Sequence, residues 1–222
     1  MYHSVLKDKS KSGKYIVTPD TLEKDLEYIE SKGYTTITMT DLINYVYNNV
    51  QLPQKPIIIT FDDGHYNNFG YAIPILKKYN MRAVISIVGE YTNRYSKTDE
   101  ANLNYSYMRW KDINQAIKDG TIEFQNHSYN MHDNAKGRIG SSKKNGETIE
   151  EYKKNFTDDI MKLQNEFREK TNYIPNTYTY PFGMVTKESN NFVKEMGFKA
   201  SLSCTSGVNV ITKDENCLYL LK

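Results

Sequence analysis

The chain has 222 residues, 38% of them hydrophobic and 25% charged, with Gly 12 and Pro 6, which excludes collagen-like, Pro/Gly-rich and acidic disordered chains. Lys+Arg 29 against Asp+Glu 27 leaves a net charge of +2 with the lysines scattered, unlike the clustered basic face of a nucleic-acid binder. No apolar run approaches the ~20 residues of a membrane helix, and one domain spanning residues 1–222 is expected, large enough to bury a core without staples.

Short apolar runs alternate with longer amphipathic stretches. Tyr2–Val5 reads as a strand. Thr18 caps a helix with Pro19 in its first turn and Leu22, Leu26 and Ile29 at helical spacing, ended by Gly33. Tyr34–Met39 is a β-branched strand, and Thr40 is expected to cap a helix through Leu42, Tyr45 and Val46. Pro56–Phe61 reads as one buried strand from its continuous apolar run. A helix over Tyr71–Tyr79, a strand over Ala83–Val88, a helix over Trp110–Lys118 ended by Gly120, and a strand over Thr121–Gln125 follow. Residues 129–147 form a polar loop, and Glu147–Thr171 is the longest helix. Tyr178–Tyr180 and Lys199–Ser203 are strands flanking a helix over Lys187–Met196, and Cys217–Leu221 is a last strand candidate. About seven βα units of this kind argue for a parallel sheet, open or closed into a barrel, with its site beyond the C-terminal ends of the strands.

Of the four histidines, His3, His65, His127 and His132, three are candidates for chemistry together with the pair Asp62-Asp63. His3 is taken to end the first strand, Asp62-Asp63 follows the strand ending at Phe61, and His127 and His132 follow the strand ending at Gln125. All therefore fall on one face of the expected sheet. On a helix the five-residue spacing of His127 and His132 leaves them ~140° apart, so they belong to a turn that Ser128 and Asn130 can bend. Two imidazoles and a carboxylate make an open metal site suited to Zn²⁺, and also to Co²⁺, Ni²⁺, Mn²⁺ or Fe²⁺. One aspartate can hold the ion while its neighbour stays available as a base, and Gly64 permits the sharp turn. By itself Asp-Asp-Gly is also an ordinary turn signal. Cys204 and Cys217 leave pairing open.

Thr60-Phe61-Asp62-Asp63-Gly64 and His127-Ser128-x-x-x-His132 resemble the first two motifs of the polysaccharide deacetylases, the carbohydrate esterase family 4 or NodB homology domain. Tyr180-Pro181-Phe182-Gly183 resembles a variant of the third. The resemblance implies an α/β fold, a distorted (β/α)7 barrel, acting as a metal-dependent N-deacetylase of N-acetylglucosamine polymers. It implies Asp63, His127 and His132 as ligands of one divalent ion, zinc favoured, Asp62 as general base, and the Phe182 N–H as oxyanion donor. The family's third-motif Arg is replaced by Thr179 or a near neighbour, and no His follows His132 to serve as the late general acid. Met1-Tyr2-His3 resembles the opening of the poly-β-1,6-N-acetylglucosamine deacetylases, in which an early His supplies the acid, so His3 takes that role. That tilts the substrate towards poly-N-acetylglucosamine, with peptidoglycan next.

Tyr66, Trp110, Tyr180 and Pro181 are expected to line the sugar site, although Trp110 is equally suited to packing its own helix. His65 has no assigned role and reads as a histidine of a solvated loop or of a helix start. An O-acetyl esterase and a non-catalytic carbohydrate-binding barrel are the competing functions. A monomer is expected, acting outside the cytoplasm. No signal peptide is visible at Met1-Tyr2-His3, and because Met1 falls inside the first expected strand the chain reads as a trimmed part of an exported protein.

Overall fold

The structure is a computed structural model that describes residues 1–134 and 137–222; Ala135 and Lys136, within the expected 129–147 loop, lie outside the described residues. Met1–Leu42, Gln51–Ile87 and Tyr91–Phe124 form one compact unit, and Ile43–Val50, Val88–Glu90 and Gln125–Lys222 form another.

In the first unit, β1 (Ser4–Val5) pairs parallel with β2 (Ile16–Val17). Helix α1 (Pro19–Ser31) starts as its sequence dictates: Thr18 accepts from the Thr21 amide, Pro19 occupies the first turn, and Leu22 and Leu26 are fully buried. The expected strand Tyr34–Met39 shrinks to β3 (Thr35–Thr36), because Met39 already opens α2 (Met39–Asn48). The cap is Thr38 and not Thr40. Thr38 Oγ1 accepts from the Asp41 amide at 3.2 Å while Asp41 Oδ2 accepts from the Thr38 amide at 2.8 Å, a reciprocal box. The Thr40 amide instead donates to the Glu123 carboxylate at 3.1 Å.

The apolar run Pro56–Phe61 also divides. β4 (Pro56–Ile57) pairs with β3, whereas β5 (Thr60–Phe61) pairs parallel with β6 (Ala83–Ile87). A continuous apolar run reports burial, not which neighbour each half joins. After a π-helical turn over Asn68–Ala72, α3 (Ile73–Lys78) leads back to β6, whose five residues are all buried. Helix α4 (Gly89–Thr98) was not expected, since its polar composition gives little apolar periodicity. Helix α5 (Trp110–Asp119) ends at Gly120 as expected and leads into β7 (Ile122–Asn126).

In the second unit, α6 (Ile149–Thr171) is the long helix, opened by a Thr148–Glu151 capping box. β8 (Thr177–Thr179) and β9 (Ala200–Leu202) flank α7 (Lys187–Glu195). Tyr152, Phe156, Ile160, Tyr178, Tyr180, Phe192, Val193 and Phe198 pack into one buried cluster, and truncating Phe156 there would cost about 3–5 kcal/mol. The expected strand Cys217–Leu221 is instead a 3-10 turn over Glu215–Leu218 with a single bridge between Leu202 and Leu221.

The parallel α/β character holds. Among the described residues the strands form two parallel pairs and a five-stranded sheet in the order β5-β6-β7-β8-β9.

Candidate active site

At the end of β5 the chain turns through two consecutive left-handed residues, Asp63 (φ 70°) and Gly64 (φ 75°). Aspartate tolerates this conformation better than most side chains. Gly64 is required by space as well, because a Cβ there would sit 2.8 Å from Ile87 Cγ2. The turn presents Asp62 and Asp63, only 3% and 9% exposed. The N-terminal segment docks beside it: the Tyr2 amide donates to Thr60 O at 2.8 Å and the Asp62 amide to Tyr2 O at 3.0 Å, a parallel bridge of Tyr2 with Phe61. His3 therefore follows the residue paired next to Asp62. It precedes β1 and does not end it, because the pairing of Tyr2 is with Phe61 and that of Ser4 with Ile16. The His3 ring meets Tyr15 edge-on at 5.1 Å.

His65 stands directly before a helical turn that begins at Tyr66, and its side chain is partly buried and not openly solvated. Its Nε2 lies 3.4 Å from Asp63 Oδ2, its ring stacks on Tyr107 at 4.7 Å, and its backbone bridges to Tyr107. The Met108 amide donates to Gly64 O and the Tyr66 amide to Ser106 O, each at 2.8 Å, so residues 106–108 brace the Asp62-Asp63 turn. Burial, aided by the Asp63 charge, pushes the Tyr107 hydroxyl well above the usual phenol range. Tyr91 packs on Tyr107 at 4.5 Å.

The second element is the turn after β7. His127 is 2% exposed and its Nδ1 donates to the Thr179 carbonyl at 2.8 Å, so Nε2 is the ring atom that could bind an ion. Ser128, at φ 71°, reverses the chain, with its amide donating to Asn126 Oδ1 and its Oγ accepting from the Met131 amide. The His127 and His132 rings come to 5.0 Å, so the five-residue spacing does converge on a turn and not on a helix. Asp159 of α6 accepts from the Tyr129 and Asn130 amides at 2.8 and 2.9 Å. Burial raises its carboxyl to about 6 against the pull of those two N–H groups.

The third element is the Pro181–Gly183 turn after β8. Phe182 is left-handed (φ 55°), 46% exposed, and its ring lies 4.4 Å from that of His132. The amides of Gly183 and Met184 are taken by Tyr180 O and Pro181 O. Thr179 is 4% exposed and contributes its backbone carbonyl to His127.

The ligand atoms of Asp63, His127 and His132 all lie within 4.8 Å of one another. One carboxylate oxygen and two imidazole nitrogens at that spacing fit a single divalent ion of the zinc or first-row transition type.

Burial corrects part of the expected sugar-binding set. Tyr180 is 0% exposed inside the aromatic cluster, and Pro181 is buried beneath the turn, so neither has a ring face to offer. Trp110 is 8% exposed with Nε1 donating to Asn93 Oδ1 at 2.8 Å, which is the helix-packing alternative. Tyr66 is half-buried, stacked on Phe69 at 5.8 Å under the Arg109 guanidinium. Sequence reasoning missed the His65 contact, the Tyr107 brace and Asp159. The Tyr107 brace follows from pairing with His65 across forty residues, and Asp159 carried no local signal on an amphipathic helix. Cys204 and Cys217 are not joined by a disulfide.

The family model described as polysaccharide deacetylase matches residues 49–201. The chain is 21% identical over 225 aligned residues to a poly-β-1,6-N-acetyl-D-glucosamine N-deacetylase of Escherichia coli K12, covering 93% of this chain and 34% of that protein. It is 22% identical to the protein of the same name from Staphylococcus aureus MRSA252, covering 93% of this chain and 66% of that one. The chain thus spans about a third of the first relative's length and about two thirds of the second's. A solved de-N-acetylase from Aggregatibacter actinomycetemcomitans superposes with a TM-score of 0.83 at 19% identity, over 100% of this chain and 91% of that one, and shares its fold.

Proposed function

The chain belongs to the polysaccharide deacetylase family, and on that premise we propose that it is a metal-dependent N-deacetylase of N-acetylglucosamine units in a cell-surface polysaccharide, releasing acetate. The observation that carries this is the cluster of Asp63, His127 and His132 ligand atoms within 4.8 Å, with the carboxylate of Asp62 next in sequence. The relatives named for poly-β-1,6-N-acetyl-D-glucosamine favour that polymer, with peptidoglycan next. The reading takes residues 1–222 as one catalytic domain with the family's distorted (β/α)7 barrel, a monomer acting outside the cytoplasm.

Asp63, His127 and His132 would hold the ion, zinc favoured. When bound, a divalent ion polarises the acetamide oxygen and lowers the pKa of water to about 7. Asp62 takes the proton of the attacking water. The N–H of Phe182 donates to the oxygen that becomes negative in the tetrahedral intermediate, a contact that strengthens as charge develops. The protonated His3 ring passes its proton to the departing amine, leaving acetate and a free glucosamine unit. Each acid–base group contributes typically 10²–10⁴-fold.

Mass spectrometry of β-1,6-linked N-acetylglucosamine oligomers after incubation with Zn²⁺-loaded protein should show successive losses of acetyl groups. Acetate released from O-acetylated xylan but not from these oligomers would replace the proposal with an esterase. Oligomer binding without any acetate release would replace it with a binding module.

A further inference from the structure

Helix α6 does more than close the core of its unit. Residues Asp159 to Gln164, less than two turns of it, hold Asn126, Tyr129 and Asn130, on the backbone that leads through His127 towards His132. Asp159 Oδ1 accepts from the Tyr129 amide at 2.8 Å and Oδ2 from the Asn130 amide at 2.9 Å. One turn on, Lys162 Nζ lies 3.5 Å from the Tyr129 ring centre. Asn126 donates to Ile160 O at 3.1 Å and to Gln164 Oε1 at 3.2 Å. From the other side, the Gly89 and Glu90 amides donate to Ser128 O and Tyr129 O at 3.1 and 2.8 Å.

Two successive backbone N–H groups aimed at one carboxylate form a charge-assisted pair that fixes the peptide planes on both sides of Tyr129. A five-residue turn without that pair samples many separations of its two histidines, and each must be given up when both bind one ion. We propose that Asp159 is a positioning residue that sets the spacing of His127 and His132 and thereby the metal affinity of the centre, an inference that rests on the metal-binding reading above. It acts through the amides of Tyr129 and Asn130.

The test is Zn²⁺ affinity by competition with a chromophoric chelator, on the full chain as wild type, Asp159→Asn, Asp159→Ala and the exposed neighbour Asp158→Asn. The visible spectrum of the Co²⁺-loaded forms is recorded alongside. Asp159→Asn keeps one acceptor oxygen and should weaken Zn²⁺ binding about 10-fold; Asp159→Ala should approach 100-fold, the range typical of outer-shell partners of metal ligands. The Co²⁺ spectrum should change in both, while Asp158→Asn should match the wild type. Should Asp159→Ala fail to fold, the near-isosteric Asp159→Asn decides alone. Zn²⁺ affinity within twofold of wild type and an unchanged Co²⁺ spectrum in folded Asp159→Asn overturn the proposal, even if its melting temperature falls. A wild type that binds neither ion overturns the metal reading instead.

Discussion

The Nε2 atom of His65 lies 3.4 Å from Oδ2 of Asp63, and this contact separates the roles of the two N-terminal histidines. His65 contacts Asp63, a proposed metal ligand, whereas His3 follows Tyr2, whose carbonyl accepts from the Asp62 amide at 3.0 Å. His65→Ala should therefore weaken Zn²⁺ binding about 10–100-fold, as loss of an outer-shell partner does. His3→Ala should keep metal content and remove the falling basic limb of the kcat/KM pH profile. Metal analysis and pH–rate profiles of the two variants check both; the reverse pattern would move the acid from His3 to His65.

His127 is held by the Thr179 carbonyl through Nδ1, so its substitution removes both a ligand and the atom that orients it. His127→Ala, His132→Ala and Asp63→Ala should each lower Zn²⁺ affinity by more than about 100-fold, beyond the usual outer-shell effect. Equilibrium dialysis with elemental analysis measures it. Near-stoichiometric zinc in any of the three would remove that residue from the ligand set.

Asp62→Asn is nearly isosteric and leaves the three ligand side chains in place. Zn²⁺ binding should be unchanged while kcat falls about 10²–10⁴-fold, the usual worth of a general base. Retention of near-full kcat would demote Asp62 from proton acceptor to a bystander.

Gly140 is left-handed (φ 55°), and a Cβ there would sit 2.5 Å from the Pro181 carbonyl oxygen, on the backbone beside Phe182. That neighbour is backbone and cannot swing away. Gly140→Ala should destabilise the fold by about 1–2 kcal/mol from the left-handed conformation alone. It should also shift the Phe182 amide and lower kcat with zinc retained. Calorimetry and steady-state kinetics on one preparation report both effects.

The Asp159 carboxyl is raised by burial from 3.8 to about 6. In metal-free protein the folded state therefore holds a proton that the unfolded state has lost between about pH 4 and pH 6. This contribution is fully present below pH 4 and is lost as pH rises through 6. Urea midpoints of metal-free wild type should fall across that window relative to Asp159→Asn. Parallel pH dependences of the two would show that the carboxyl titrates normally.

Local chemistry in the sequence specified a great deal. Thr18 with Pro19 began α1 and Gly120 ended α5, because caps and first turns need only neighbours in the chain. Asp62-Asp63-Gly64 and His127-x-x-x-x-His132 were legible for the same reason, since each sits within one turn that its own residues bend. Tertiary structure decided what depended on distant partners. The run Pro56–Phe61 split because its halves pair with Thr35–Thr36 and Val84–Ile85, a choice that apolar periodicity does not encode. Tyr180 and Trp110 were claimed by the core and by Asn93, since a ring is equally at home on sugar or in packing until burial chooses. The clamp of Asp159 on the Tyr129 and Asn130 amides exists only once α6 lies against a turn thirty residues earlier, and no local signal marks a carboxylate for backbone N–H groups that distant.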